Sequence, residues 1–117
     1  MRNSLKIKPA SAIIRSRGQM ASPNPKFQLL AETFKTLGDY SRVRIVWALV
    51  QGEKCPSEIA SSVRMSPSAV SHHLKVLRNA NLVRLRREHR QIFYSLDDHH
   101  INELFEAGIE HVEEILQ

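Results

Sequence analysis

The sequence predicts one mainly α-helical domain that carries a single β-hairpin. Apolar residues recur at three- and four-residue intervals between Phe27 and Asn79, which is typical of amphipathic helices. The period changes to two between Val83 and Leu96, which is typical of two paired strands. A last helical segment follows the hairpin. With 117 residues, the chain is long enough for one modest core and short enough to gain stability from dimerisation.

Residues 1–25 are interpreted as a flexible basic tail, and residues 26–117 as the folding domain. Residues 1–26 contain six Lys or Arg and no acid, with too little apolar content to pack. This composition is faintly similar to an organelle transit peptide, but nonspecific attraction to phosphate is the favoured role. No apolar run approaches a membrane span, and the single cysteine, Cys55, excludes an intramolecular disulfide. Both features indicate a cytoplasmic protein without membrane contact.

The first predicted helix starts near Phe27 and ends at Gly38. Ser41 is expected to cap a second helix, which Gly52 closes. The inner side of this second helix is predicted to carry Val43, Val46, Trp47 and Val50. Pro56 suits the first turn of a short third helix that runs to Val63.

Ser66 is expected to cap a fourth helix, with Pro67 at its first position and an end near Asn79. Small hydroxyls, an imidazole and two cations share its polar face, with no carboxylate among them. Such groups suit the base edges and phosphates of DNA, although ordinary polar helix faces also contain them. The residues of this face are Ser68, Ser71, His72, Lys75 and Arg78, opposite an apolar stripe of Val70, Leu74 and Leu77.

The alternating segment after Leu82 predicts a hairpin with a basic tip, in which Arg87 to Arg90 form the turn. A short helix, a turn, a second helix and a basic hairpin, in this order, predict a winged helix-turn-helix, with the hairpin as its wing. The predicted DNA-binding residues are Ser66, Ser68, Ser71, His72, Lys75, Arg78, Arg87 and Arg90.

Charge is strongly segregated along the chain. Residues 40–90 hold ten Lys or Arg against three acids, a net +7, whereas residues 97–117 hold seven acids and no Lys or Arg, a net −7. A basic middle beside an acidic end predicts a face that binds a polyanion and a separate face that attracts cations.

Four residues of the acidic segment form a candidate metal site: Asp98, His100, His111 and Glu114. His100 and His111 share a helix face but lie about 16 Å apart along the axis. One ion with ligands about 2 Å away cannot reach both. A shared ion therefore requires a second, antiparallel copy of the helix, so that Asp98 and His100 of one subunit meet His111 and Glu114 of the other. The alternative is an acidic, solvated helix face.

The chain resembles the ArsR/SmtB family of winged-helix, metal-sensing repressors over roughly residues 27–116. The resemblance rests on the segment from Phe34 to Ile45, on the run SAVSHHLKVLRNANLV from Ser68 to Val83, and on Phe93-Tyr94-Ser95-Leu96. The family's C-terminal metal pattern, Asp-x-His, ten residues, His-x-x-Glu/His, matches the four candidate ligands.

The resemblance implies a homodimer, formed through the N- and C-terminal helices, that binds an inverted-repeat operator in the apo form. Binding of zinc, cobalt or another divalent transition metal would release the double-stranded DNA. The open alternative is a winged-helix DNA-binding regulator with no metal response. An enzyme is not expected, because no Gly-rich phosphate loop or acid–base pair is present.

Four residues depart from the family pattern or leave a role open. Cys55, with Glu58, is either a remnant of a second family metal site or simply structural, because one thiolate does not hold an ion. Arg64 and His89 replace the glycines of many relatives in the turn before the fourth helix and at the hairpin tip. A left-handed non-glycine residue costs on the order of 1 kcal/mol, so we expect the fold to survive both replacements.

Overall fold

The computed structural model describes residues 24–117, so the predicted basic tail lies almost entirely outside the described residues. A division between Lys35 and Thr36 separates two compact units, and residues 36–117 form the second. No helix of the described part is long and apolar enough to cross a membrane. The elements are α1 (Pro25–Leu37), α2 (Tyr40–Val50), α3 (Pro56–Val63), α4 (Pro67–Asn79), β1 (Val83–Glu88), β2 (Gln91–Leu96) and α5 (His99–Leu116).

Helix α2 begins two residues earlier than the predicted cap allows. Asp39, in an extended conformation, is the N-cap, and its carboxylate accepts the backbone N–H of Arg42 at 3.0 Å. The prediction that Ser41 caps this helix is wrong, because Ser41 already lies in the first turn. Asp and Ser are equally good capping residues, so residue preference alone does not favour Ser41 over Asp39.

The buried face of α2 also differs from the prediction. Val46 is buried as expected, but Val43, Trp47 and Val50 are only half-buried. Helix α2 contacts α3, α4, β2 and α5. The face that it buries is therefore wider than one stripe, and it is centred on other residues than those predicted. The residues that fill it are Ile45, Val46, Ala48 and Leu49.

A tight turn joins α3 to α4 as predicted. Arg64 ends α3 in a left-handed conformation, with φ 57° and ψ 49°, and the Arg44 guanidinium donates a hydrogen bond to the Val63 carbonyl. Ser66 caps α4 by accepting the Ala69 backbone N–H at 3.2 Å. The predicted stripe of α4 is confirmed as core: Val70, Leu74 and Leu77 are at most 1% exposed.

The hairpin pairs antiparallel from Val83↔Leu96 to Glu88↔Gln91. Its tip therefore contains two residues, His89 and Arg90, and His89 adopts a positive φ of 58°. The predicted turn was too long. Arg87 pairs with Ile92 within the strands, because a two-residue tip leaves Arg87 and Glu88 free to continue the ladder.

Backbone hydrogen bonds connect the end of α4 to the start of α5. Leu82 donates its N–H to the Leu77 carbonyl at 2.9 Å, and Asp97 donates its N–H to the Leu82 carbonyl at 3.0 Å. Asp98 follows as the N-cap of α5 rather than as a residue of the helix. The last residue before this cap is therefore anchored on the C-terminal end of α4.

The buried stripe of α4 yields a stability prediction. We expect Leu74→Ala to lower the free energy of unfolding by about 2–5 kcal/mol, because it removes buried methyl groups from a packed site. Urea unfolding at one fixed protein concentration measures the change. The matched control is Ser71→Ala on the exposed face, which should change stability by no more than about 0.5 kcal/mol. Equal losses of stability in the two variants would contradict the assigned orientation of α4.

Candidate nucleic-acid interface and metal centre

All eight predicted DNA-binding side chains are exposed. Six lie at the N-cap and along the outer face of α4, and Arg87 and Arg90 lie at the far end of the hairpin. Ser66 has a structural task as well, because its hydroxyl caps α4 and lies 3.5 Å from the Ser68 hydroxyl. The arrangement offers small hydroxyls and one imidazole on a helix, with cations beside them.

The cations of this surface carry no counterion within residues 24–117, where Lys75, Arg78, Arg87 and Arg90 take part in no ion pair. The three acids of the basic segment are engaged elsewhere. Glu53 and Glu88 both bind the Arg86 guanidinium, and the Glu58 carboxylate accepts the Cys55 backbone N–H. The positive charge of the α4 and hairpin surface therefore remains available to a polyanion.

Hydrogen bonding holds two of these acids in their charged form. The Arg86 side chain lowers the pKa of Glu53 below its ordinary value, although some desolvation opposes this. The pKa of Glu58 is lowered by the Cys55 backbone N–H. Glu58 thus serves as a helix-capping residue, and the Cys55 thiol, half-buried at the same helix start, lies 3.3 Å from the Ser57 hydroxyl. These contacts give both residues of the suspected second site a structural role.

A polar contact that sequence analysis missed joins α4 to the start of α2. An Arg42 guanidinium nitrogen lies 3.3 Å from His73 Nδ1, and Arg42 Nε donates to the Thr36 carbonyl at 2.7 Å. Because arginine can only donate, His73 Nδ1 must accept, which places the ring proton on Nε2. The half-buried His73 thus contacts the start of α2, whereas its exposed neighbour His72 faces outward, with its ring centroid 5.6 Å from that of His73.

The first predicted ligand pair comes together at the start of α5. His100 Nδ1 lies 3.4 Å from Asp98 Oδ1, and both side chains are substantially exposed. Asp98 Oδ1 accepts the backbone N–H of His100 at 2.9 Å and that of Ile101 at 3.4 Å. Partial burial raises the pKa of Asp98, but these N–H groups together with His100 lower it below its ordinary value. The carboxylate is therefore charged and has Oδ2 to offer to a cation.

His99 lies close to this pair. Its ring centroid is 4.2 Å from that of His100, with the two rings tilted by 33°. The stacked imidazoles differ in their relation to Asp98, since the His100 ring is the one that approaches the carboxylate.

The second predicted pair, His111 and Glu114, lies exposed near the other end of α5. The structure does not bring it to Asp98 and His100, because all four residues belong to one straight segment of the chain. Among residues 24–117, no three His, Cys, Asp or Glu side chains of one protomer group closely enough to hold an ion. Two imidazoles and two carboxylates suit tetrahedral zinc, and within this chain only half of that set meets.

An apolar stripe lies exposed beside the two ligand pairs. Leu104 is 41% exposed, Val112 47% and Ile115 66%. Residues four positions apart are neighbours on a helix surface, so Leu104 adjoins His100 and Ile115 adjoins His111. Each candidate histidine therefore borders an apolar surface that the described part of the protomer leaves uncovered.

The comparisons with known proteins agree with this fold. The family model described as "Bacterial regulatory protein, arsR family" matches residues 39–84, which include α2, α3, α4 and the start of the hairpin. The solved homodimeric winged helix-turn-helix DNA-binding domain Mb0332 from Mycobacterium bovis superposes with a TM-score of 0.77. That comparison has 27% sequence identity and covers 86% of this chain and 93% of that one.

Curated relatives extend the similarity beyond the helix-turn-helix. The chain is 35% identical to a "Cadmium resistance transcriptional regulatory protein CadC homolog" of Staphylococcus aureus, over 86% of this chain and 83% of that protein. It is 41% identical to a "Transcriptional repressor SmtB homolog" of a Synechocystis strain, over 74% of this chain. The latter match spans 66% of the Synechocystis protein, just under two thirds of its length.

The cap of α2 predicts a specific pH dependence. The Arg42 backbone N–H, and secondarily the charge of the Arg42 guanidinium, lower the pKa of Asp39 below its ordinary value. A lowered carboxyl pKa contributes stability above the ordinary value, and that contribution is lost as pH falls through the folded value. Asp39→Asn keeps the capping ability but not the charge. The wild type should therefore be more stable than this variant near neutral pH, and the difference should disappear as the pH falls through the lowered pKa of Asp39.

Urea unfolding at several pH values between these limits tests this expectation. Ser41→Ala is the control, and it should change stability little at any pH because Asp39 supplies the cap. A difference between wild type and Asp39→Asn that stays constant down to the acid end would refute the electrostatic role of Asp39.

Proposed function

Because the chain belongs to the arsR family of bacterial regulatory proteins, we propose that it is a metal-responsive transcriptional repressor of the cytoplasm. It binds an operator as a homodimer in the apo form, and zinc or a similar divalent ion, bound between two copies of α5, releases it. The observation that carries the proposal is that one chain combines a basic surface without counterions and two pairs of candidate metal ligands, which lie at opposite ends of α5.

The DNA-binding part of the proposal follows from the exposed face of α4. A helix fits the major groove of B-form DNA, where hydroxyl and imidazole groups can reach base edges. Ser68, Ser71 and His72 are exposed on the side opposite the buried stripe, which supports their role in this contact. The flanking cations bind phosphates, which fixes the orientation of the helix without reading sequence: Lys75, Arg78, Arg87 and Arg90.

The homodimer covers the apolar stripe of α5. An antiparallel pair that sets His100 opposite His111 of the partner subunit also sets Leu104 close to Gly108 of the partner subunit. A Cβ added at Gly108 would meet no atom within 4 Å, so this position has room for a large side chain. The register that completes the ligand set is therefore compatible with close packing of the two helices.

The metal completes its ligand set only in this dimer. Asp98 and His100 of one subunit and His111 and Glu114 of the partner subunit supply two imidazoles and two carboxylates to each ion. Bound there, the ion supplies a fixed cross-link between two acidic helices that otherwise repel each other. The name of the S. aureus relative, a cadmium resistance regulator, supports a response to a divalent metal.

The link from the metal to the DNA runs through the hydrogen-bonded connection between α4 and α5. Asp98 directly follows Asp97, whose N–H binds Leu82, and the Leu82 N–H binds the end of α4 at Leu77. Fixing two α5 helices across the dimer therefore constrains the two recognition helices, which must lie about 34 Å apart to bind one face of DNA. Release requires that the ion favour the DNA-incompetent arrangement, and DNA then weakens metal binding by the same factor.

An operator-binding titration with and without one zinc ion per subunit tests the metal response. We expect zinc to weaken operator binding by about tenfold or more in the wild type, within the usual range of allosteric coupling. His100→Ala should bind the operator as the wild type does without zinc, and should lose the zinc response because a ligand is gone. Fluorescence anisotropy of a labelled operator measures both.

The matched control is His99→Ala, which removes the adjacent imidazole of the same stacked pair and should keep the zinc response. Unchanged operator affinity in wild type with zinc would identify a DNA-binding regulator with no metal response. A zinc response that survives in His100→Ala would refute the ligand assignment while leaving the DNA-binding proposal intact.

A second pair of variants separates base contacts from phosphate contacts. Arg78→Ala should weaken binding to operator and nonspecific DNA alike, and should reduce the slope of log affinity against log salt by about 0.9 for each phosphate that is no longer bound. His72→Ala should weaken operator binding by about 1–3 kcal/mol while changing nonspecific binding little. Titrations of both duplexes at several salt concentrations measure these effects. If His72→Ala weakened operator and nonspecific binding equally, as Arg78→Ala should, His72 would not contact base edges.

A further inference from the structure

The base of the hairpin is tied to the loop between α2 and α3. Lys54 donates its N–H to the Tyr94 carbonyl at 3.1 Å and accepts the Tyr94 N–H at 2.8 Å, so the two residues pair like antiparallel strands. The Lys54 ammonium also binds the Ala48 carbonyl at the end of α2. This contact fixes the hairpin at the level of Tyr94 and its strand partner Leu85. The outer part, which carries the basic tip, extends beyond it.

One arginine holds the outer part to the same loop. Arg86 Nε and Nη2 donate to the two carboxylate oxygens of Glu53 at 2.8 and 2.9 Å, a bidentate contact. The third guanidinium nitrogen, Nη1, donates to Glu88 at 2.7 Å, and the guanidinium lies 4.7 Å from the Phe93 ring centroid. Each of these contacts restricts the orientation of the guanidinium plane. Among them, only the contact with Glu53 links the hairpin to another part of the chain, the loop between α2 and α3.

We propose that the Glu53–Arg86 pair is a positioning contact that sets the angle of the wing, so that Arg87 and Arg90 reach the DNA phosphates. This inference rests on the proposed DNA contact by the wing. Arg86 is the residue before Arg87 on β1, and consecutive strand side chains point to opposite faces. Glu53 binds Arg86 on one face of the hairpin, and Arg87 lies on the opposite face. The contact with Glu53 therefore determines the direction in which Arg87 points.

A positioning role of Glu53 therefore predicts an effect on DNA affinity opposite to the effect expected from its charge. A carboxylate near a DNA-binding surface repels phosphate, so its removal should by charge alone strengthen binding. If Glu53 merely kept Arg86 away from DNA, its removal would also strengthen binding. If it positions the wing, its removal weakens binding. Single exposed ion pairs contribute little to stability, but a bidentate arginine within a network is the geometry in which such a pair fixes an orientation.

The test compares Glu53→Gln with Glu88→Gln on a nonspecific DNA duplex at several salt concentrations. Both variants remove one negative charge that contacts the same guanidinium, and only the first removes the bidentate contact of Arg86 with the loop between α2 and α3. Glu53→Gln should bind the duplex at least about threefold more weakly, with a salt slope smaller by about 0.9 for each phosphate that the wing no longer reaches. Glu88→Gln should bind equally well or more tightly.

Two further variants make the outcome decisive. Arg86→Lys keeps the charge but cannot form the bidentate contact, so it should weaken binding in the same way as Glu53→Gln. Arg87→Ala should weaken binding in the wild type and have little further effect in Glu53→Gln, because the misdirected wing no longer uses Arg87. Thermal unfolding confirms that each variant is folded.

Tighter or unchanged binding by Glu53→Gln, or the same weakening by Arg87→Ala in both backgrounds, overturns the positioning role alone. If Arg87→Ala and Arg90→Ala both leave the affinity and salt slope of the wild type unchanged, the wing does not contact DNA. In that case the proposed wing contact fails, and the positioning role fails with it.

Discussion

The burial of one stripe of α4 is the constraint on which the rest of the structure depends. Val70, Leu74 and Leu77 are almost completely inaccessible, and they lock the rotation of the helix about its axis. Because a helix has about 3.6 residues per turn, this choice also decides which residues face outward. Leu82 and Val83 continue the same core, so the strand that follows leaves the helix in a fixed direction. Apolar packing therefore sets both the residues that α4 exposes and the direction in which the hairpin leaves the helix.

The acidic residues are engaged differently in two parts of the chain. In the segment that carries the DNA-binding surface, every acid is held by a specific partner: Glu53 and Glu88 by Arg86, and Glu58 by a backbone N–H. These acids shape the fold without cancelling the charge of the surface cations. In α5 the balance is reversed, and its acids lie exposed where a cation can reach them. The basic surface and the acidic helix are thus separate places, as the proposed binding of DNA and of a metal ion requires.

In the proposed metal site, one copy of α5 supplies half of the ligands to each ion, and a dimer is needed to complete the set. Its two ligand pairs stand at opposite ends of one rigid element, so no rearrangement of side chains can bring them to one ion. In the proposed dimer, a second copy supplies the missing ligands and covers the exposed stripe around Leu104 and Ile115. The hydrogen bonds of Asp97 and Leu82 give α5 a short connection to α4, so its placement bears on how two recognition helices are spaced.

The sequence by itself determined the local elements, because caps, stripes and strand alternation depend on residues a few positions apart. It defined α4 from its cap at Ser66 to Asn79, and the outer ends of the two strands at Val83 and Leu96. It also predicted a set of metal ligands too widely spaced for one protomer. It failed where neighbours could not decide, as in the choice between Ser41 and Asp39 as cap, or in the buried side of α2. Only the tertiary structure could bring Arg86 to Glu53 and Arg42 to His73, over separations of 33 and 31 residues. Such contacts form because the packed core fixes distant segments side by side, and no local pattern records which of them will meet.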